Sequence, residues 1–159
     1  MLYVAYGSNM NMRQMAERCP AAQPIEAVTL RGWRLVMRGA ADIIRDHQSA
    51  TPAGLWCITT ACLRELDIYE GYPALYTRQT ITAWRSNGKR VRAMVYLMRG
   101  PLARPLRPGS TRYVRGIMDG YRDFGIGSHA PVLQAQHLAA AMRTGRLWRP
   151  TEDSLIARE

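Results

Sequence analysis

The chain has 159 residues, enough for one domain with a sizeable apolar core. A hydrophobic content of 47% against 21% charged residues belongs to a globular protein and excludes a disordered one. The formal charge is +10, carried almost wholly by arginine with Lys89 as the only lysine, and it raises three partner classes: nucleic acid, a membrane surface or an acidic small molecule. The arginines are scattered through every segment without a run or a helical stripe, which is the pattern of a solvated basic surface. No apolar run nears the roughly 20 residues needed to cross a bilayer, so no membrane partner is expected. The N-terminus lacks a basic region followed by an apolar stretch; no signal peptide is expected, and a cytoplasmic location is the default. Cys19, Cys57 and Cys62 form no C-x-x-C pair and are odd in number, which predicts reduced, buried thiols.

Leu2 to Tyr6 is a short apolar and aromatic run that predicts a buried strand. Gly7-Ser8-Asn9 breaks it, and a helical pattern over Asn11 to Arg18 begins at once. A strand that passes through a glycine turn into a helix aims several unpaired backbone N–H groups at one spot. Together with the positive end of the helix dipole they favour an anion or a developing oxyanion. The same pattern fits an ordinary strand-turn-helix with Asn9 or Asn11 as its cap. Cys19-Pro20 stops the helix. Ile25–Leu30 and Gly32–Arg38 read as two strands, the second with Trp33, Leu35 and Met37 on one face. Ala41–Arg45 reads as a short strand, Asp46–Pro52 as a polar loop and Ala53–Ile58 as a central strand.

Thr59 to Gly71 is the most informative helix, with Thr59 or Thr60 as cap and Gly71 where a left-handed residue ends a helix. At about 100° per residue, Cys62, Leu63, Leu66 and Tyr69 fall on one core-facing arc. Glu70, four residues after Leu66 and seven after Leu63, falls on the same arc. It also stands at the negative end of the helix dipole. Burial and the dipole both raise a carboxyl pKa, which suits a general acid or base. The opposing reading has Glu70 curling out at a frayed turn or pairing with an arginine.

Tyr76–Trp84 and Arg90–Met98 read as two strands of a hairpin joined by Ser86-Asn87-Gly88-Lys89, with a type I′ turn that needs positive φ at Gly88. Gly100 to Gly109 carries Pro101, Pro105 and Pro108 and reads as a loop, a lid or strap over a site. Ser110 or Thr111 caps a helix with Tyr113, Ile117 and Tyr121 at spacing four. Pro131 opens a last helix to about Arg143, ended by Gly145. Residues 1–145 thus form a single predicted domain and 146–159 a loosely held tail. His47, His129 and His137 show no ligand spacing, so no metal is expected. No Gly-x-Ser-x-Gly elbow is present, and the segment between the last two helices is too long for a helix-turn-helix.

Three segments in combination resemble the gamma-glutamylcyclotransferase-like family: YVAYGSNM at Tyr3–Met10, LDIYEGYP at Leu66–Pro73, and ALYTRQTITAW followed by VRAMVYLM. Their order and spacing, with the Pro-rich loop and Ser110-Thr111-Arg112-Tyr113 after it, extend the likeness over residues 2–124. The resemblance implies an α+β fold, a small mixed β-barrel flanked by helices, with the site at the barrel mouth. It implies Tyr3, Val4, Ala5, Tyr6, Gly7, Ser8 and Asn9 as the substrate-binding loop and Glu70 as the catalytic acid/base. Tyr76 and Tyr113 fall where the family places tyrosines near the substrate. After Phe124 the Gly-Ile-Gly-Ser-His-Ala segment departs from the family pattern, which leaves the leaving-group pocket and the substrate open.

The activity implied is a cyclotransferase-type lyase that releases an amine from a gamma-glutamyl amine or dipeptide as 5-oxoproline forms, with no cofactor. Two other readings stand beside it. One is a non-catalytic binding or regulatory module on the same fold, which an intact Glu70 disfavours. The other is a basic nucleic-acid-binding protein, suggested by charge alone. The sequence leaves the oligomeric state open, a homodimer included.

Overall fold

In a computed structural model, residues 1–100 and 104–144 are described. Pro101, Gly145 and the predicted tail at 146–159 lie outside them. The elements in chain order are β1 (Leu2–Ala5), a 3-10 turn (Ser8–Met10), α1 (Met12–Arg18), β2 (Gln23–Met37), β3 (Ala41–Cys57), α2 (Thr60–Glu70), β4 (Tyr76–Arg85), β5 (Arg90–Met98), α3 (Thr111–Asp123) and α4 (Ala130–Arg143). The strands close into a barrel in the order β1-β3-β2-β4-β5. Every pairing is antiparallel except the one that closes the ring, β1 with β5 at Tyr3↔Met94. The fold is the expected α+β mixed barrel with flanking helices.

The β2–β3 ribbon differs from its predicted form. The two strands expected within 25–38 are one strand, and β3 runs unbroken from Ala41 to Cys57. Thr29↔Pro52, Leu30↔Thr51 and Arg31↔Ala50 are paired, so the last three residues of the expected polar loop belong to the ladder. Only 46–49 stand outside the register, between the Arg31↔Ala50 and Trp33↔Arg45 pairs. There Asp46 accepts from the Gln48 N–H at 3.1 Å and the Ser49 hydroxyl at 2.5 Å, giving a polar bulge its own hydrogen bonds. Opposite it Gly32 takes φ +77°, open only to a residue without Cβ strain. The local polarity that suggested a loop is the solvent side of a bulge.

Apolar side chains from both faces of the ring join one core, with Leu30, Met37, Leu55, Ala83 and Val95 at 0–1% exposure. α3 contributes Ile117 and Tyr121, as the spacing predicted, and α4 contributes Val132, Ala135 and Ala139. α3 presses on the 3-10 turn through its glycines: a Cβ on Gly120 would fall 2.6 Å from the Met10 backbone. The Asn11 side chain also donates to the Gly116 carbonyl at 3.2 Å. The turn after β1 is therefore held from outside as well as from the barrel. Of the three cysteines, Cys19 and Cys62 are buried thiols, while Cys57 at the exposed end of β3 corrects the expectation for it. No helix among the described residues is long and apolar enough to cross a membrane.

The β4–β5 hairpin lies where Asn87-Gly88 put it, but its turn is built differently. The Gly88 N–H bonds to the Arg85 carbonyl at 2.9 Å and the Arg85 N–H to the Lys89 carbonyl at 2.9 Å. This is a three-residue loop, Ser86-Asn87-Gly88, with only its last residue required in the left-handed region (Gly88 φ +79°). A Cβ at Gly88 would meet nothing within 4 Å, so substitution there costs backbone strain alone. Gly88→Val should lower unfolding stability by about 1–2 kcal/mol in denaturant melts, with Gly88→Asn losing less. A valine variant as stable as the parent would overturn the turn assignment.

Candidate active site

Each end of the site is fixed by local chemistry. Thr59 caps α2 by accepting from the Cys62 N–H at 3.1 Å, and Gly71 ends it at φ +65°. Glu70 is thus the last residue of an unfrayed helix. β1 delivers Tyr3 and, through Tyr6 and Gly7, the 3-10 turn that carries Ser8 and Asn9. The Asn9 Nδ2 group donates to Glu70 Oε1 at 2.8 Å and to the Tyr3 hydroxyl at 2.9 Å, while Asn9 Oδ1 accepts from Arg18 Nη1 at 2.8 Å. The reverse amide orientation would set its nitrogen against a guanidinium and its oxygen against a carboxylate.

Burial pushes the Glu70 pKa from 4.5 up to about 7, against the charge of Arg18 and the Asn9 hydrogen bond, which both pull it down. Among the described residues no ion pair within 4 Å engages Glu70. The Arg18 guanidinium is turned instead to Asn9, to Gln14 at 2.8 Å and to the face of the Tyr69 ring, 3.7 Å from its centroid. Neither a curled-out side chain nor an arginine pair describes this carboxyl. It is a half-buried acid with one hydrogen bond and a titration midpoint near neutrality.

A cavity of about 240 Å³ opens beside it at the barrel mouth. Tyr6, Gly7, Ser8 and Asn9 form one wall, Tyr69 and Glu70 the second, and Tyr76, Tyr96 and Tyr113 close the rest with the backbone at Ala40–Ala41. The Tyr113 oxygen accepts the Ala41 N–H at 3.0 Å, which leaves its own proton to donate into the cavity. Tyr76 is committed to the Ala41 carbonyl at 2.8 Å and Tyr6 to the Tyr96 carbonyl at 2.7 Å. Burial raises the pKa of each of these tyrosines, so all remain neutral donors. A larger depression of about 420 Å³ lies between the β2–β3 ribbon and α4, against Arg34, Thr51, Pro131 and Gln134. It contains no carboxylate and no aromatic ring, so the smaller cavity is the one with chemistry in it. Among the described residues no group of three His, Cys, Asp or Glu side chains stands close enough to hold a metal.

The cavity brings together Tyr3, Tyr6, Gly7, Ser8, Asn9, Glu70, Tyr76 and Tyr113. Val4 and Ala5 do not line it: they are buried in β1, paired with Leu55 and Gly54, and pack in the barrel. Tyr69 leaves its predicted core arc; it is 44% exposed, and its hydroxyl meets the Ser8 hydroxyl at 2.9 Å. The anion-binding helix end also differs from expectation. α1 starts only at Met12, and two of its first-turn donors are already taken, the Met12 N–H by Asp123 at 2.8 Å and the Gln14 N–H by Asn11 at 3.0 Å. The donors beside Glu70 belong to the short 3-10 turn, because Ser8–Met10 lies between the break at Gly7 and the helix proper. Sequence reasoning passed over Arg18, Tyr69 as a site residue and Tyr96. Alternation along 90–98 puts Tyr96 in phase with the exposed Arg90 and Arg92 and so hides it; no local pattern marks Arg18.

A closed five-stranded mixed barrel with four helices among the described residues is the fold of gamma-glutamyl cyclotransferase. A solved structure so described matches with a TM-score of 0.74 at 23% identity, over 89% of this chain and 86% of that one. The chain belongs to the family described as gamma-glutamyl cyclotransferase, AIG2-like, whose sequence model matches residues 3–122. Similar too are an uncharacterized protein from Homo sapiens (TM-score 0.72, 24% identity, 88% of this chain and 86% of that one) and YkqA from Bacillus subtilis (0.70, 19%, 89% and 54%). No curated protein gives a match.

The raised Glu70 pKa carries a signed prediction for stability. Below about pH 4.5 the carboxyl is neutral folded and unfolded, and contributes nothing. Above that the unfolded chain ionises first, and the penalty on the folded state grows until it is complete above about pH 7. Glu70→Gln should therefore match the parent near pH 4.5 and exceed it at pH 8 by up to about 2–3 kcal/mol, read from urea melts at each pH. An equal difference at both values would show that burial does not perturb this group.

Proposed function

We propose that the protein is a gamma-glutamyl cyclotransferase-type lyase, acting on a gamma-glutamyl amine or dipeptide with Glu70 as general acid/base. The observation that carries this reading is the Glu70 carboxyl itself, half-buried at an open cavity, free of any ion pair among the described residues and titrating near neutrality. An α-ammonium cannot attack a carbonyl, so a base must first take its proton, and a base with a midpoint near 7 both takes and returns one efficiently. Glu70 accepts that proton; the freed amine attacks the γ-carbonyl carbon of the same molecule and closes a five-membered ring. As the γ-amide C–N bond breaks, Glu70 returns its proton to the departing nitrogen. The two protons lost by the ammonium leave, net, with the amine.

The oxyanion formed on the way is stabilised by donors at the cavity wall: the first N–H groups of the 3-10 turn and the Tyr113 hydroxyl. Nucleophile and electrophile belong to one substrate, so the remaining work is to hold it folded. A small cavity walled by neutral tyrosines suits that task. Gly7 keeps it open: a Cβ there would stand 3.2 Å from the Ala41 Cβ and 3.3 Å from the Tyr113 oxygen.

Incubation with a panel of gamma-glutamyl amines and dipeptides, with 5-oxoproline measured by mass spectrometry, tests the reaction and finds the leaving group. No product from any member, in a protein that still binds one of them, would make this a binding module instead. With an active substrate in hand, Glu70→Gln should lower kcat by about a hundredfold to ten-thousandfold while binding persists. Full activity in that variant would sink the mechanism. Gly7→Val should lose calorimetric binding of 5-oxoproline, with a cooperative melt checking that the variant remains folded, whereas unchanged affinity would remove the loop from the site.

A further inference from the structure

Arg18 ends α1, and among the described residues it is the one charged group that acts on Glu70. Its guanidinium is engaged on three sides. Nη1 donates to Asn9 Oδ1 at 2.8 Å, Nη2 donates to Gln14 Oε1 at 2.8 Å, and the plane lies over the Tyr69 ring. Two of these contacts lead to the carboxyl by separate routes. Asn9 donates its amide N–H to Glu70, and Tyr69 is the residue before Glu70, anchored in turn on Ser8. A planar fork holds two amide oxygens and stacks on a ring at once; an ammonium does not.

We propose that Arg18 is a positioning residue for Glu70: it fixes the Asn9 amide with nitrogen toward the carboxyl, braces Tyr69, and sets a positive charge beyond Asn9 rather than against the carboxyl. This rests on the acid/base reading of Glu70 given above. Remoteness matters to the role. A guanidinium in direct contact would hold the carboxylate as a permanent anion and remove the base, whereas one placed beyond Asn9 favours ionisation without capturing it. Of the other groups around Glu70, Tyr3 of β1, Tyr76 of β4, Tyr96 of β5 and Tyr113 of α3 are held neutral by burial, and Asp67, one turn earlier on α2, is paired with Arg78 of β4 at 3.7 Å and accepts the Tyr96 hydroxyl at 2.7 Å. Asp42 of β3 is paired with Arg38 at 3.2 Å and acts on Tyr6 and Tyr76 rather than on Glu70.

The test compares the parent with Arg18→Gln and Arg18→Lys by two readouts. The first is the Glu70 titration, followed by carbon NMR of the side-chain carboxyl and assigned by its absence in Glu70→Gln. Its midpoint should rise in Arg18→Gln and rise less in Arg18→Lys, which keeps a charge but loses the fork. The second is the pH profile of kcat/KM with the substrate the panel identifies. The acidic limb should move up with the midpoint, so that the deficit, about tenfold for each pH unit of displacement, is large at pH 6 and fades by pH 9. A merely structural residue would lower activity equally at all pH. An unmoved midpoint in Arg18→Gln, or a deficit independent of pH, overturns the proposal. If Arg18→Gln does not fold, Arg18→Lys decides alone by the same criterion. If the parent turns over no gamma-glutamyl compound, the reaction is what fails, and the carboxyl titration still decides the role of Arg18.

Discussion

β1 is four residues long and paired on both sides, antiparallel with β3 through Leu2–Ala5 and parallel with β5 at Tyr3↔Met94. That double pairing turns an open sheet into a barrel and leaves no exposed edge at β1. Everything at the site depends on it. A strand locked on two flanks delivers its last residues to one place, so the chain leaving β1 must turn at the barrel mouth. Gly7 allows the turn to lie against Ala41 and Tyr113, and α3 seals it from the other side through Gly120. Asn9 then reaches Glu70, 61 residues away in sequence, over a single 2.8 Å hydrogen bond.

The electrostatics of the mouth follow from what surrounds that bond. Apolar and neutral aromatic neighbours raise the cost of charge on Glu70, and one amide and one distant guanidinium partly offset it. The balance leaves the carboxyl poised near neutrality. The strong basicity of the whole chain has little part in this, since most arginines are spread over the surface and several are paired locally, as Arg34 is with Asp46 and Arg85 with Glu26. Net charge describes the surface of this protein; the buried neighbours of one acid describe its site.

Order at the mouth is secured from several elements at once. Glu70 ends a helix capped at both termini, Tyr76 and Tyr113 converge on the two backbone groups of Ala41, and Gln136 of α4 grips the Gly109 backbone with both its amide atoms just before α3 begins. This last contact gives the region beyond residue 124 a part in holding the site, although its sequence departs from the family pattern. A cavity whose walls are fixed from β1, β3, α2, β4 and α3 suits a reaction that demands a particular folded substrate conformer.

Periods, caps and turn residues are legible in the chain because they act over a few residues. Thr59, Gly71, Asn11 and Ser110 cap where the local pattern places them, Gly88 turns the hairpin, and the phase of the 60–70 helix alone puts Glu70 on its inner face. The family likeness, resting on ordered local segments, carries the barrel with it. What the chain does not show is set by pairing and packing between distant residues. The ladder draws Ala50–Pro52 into β3 although their composition speaks for a loop, and the pairing of β1 with β3 packs Val4 and Ala5 in the barrel while Tyr3 reaches the cavity. Tyr69 leaves the core for Ser8 and Arg18, since the 3-10 turn and the end of α1 offer its hydroxyl and its ring a partner each. Arg18 itself has no local signature. Its role exists only once α1, the turn and α2 are stacked at one mouth, because a charge acts through space and a sequence records only neighbours along the chain.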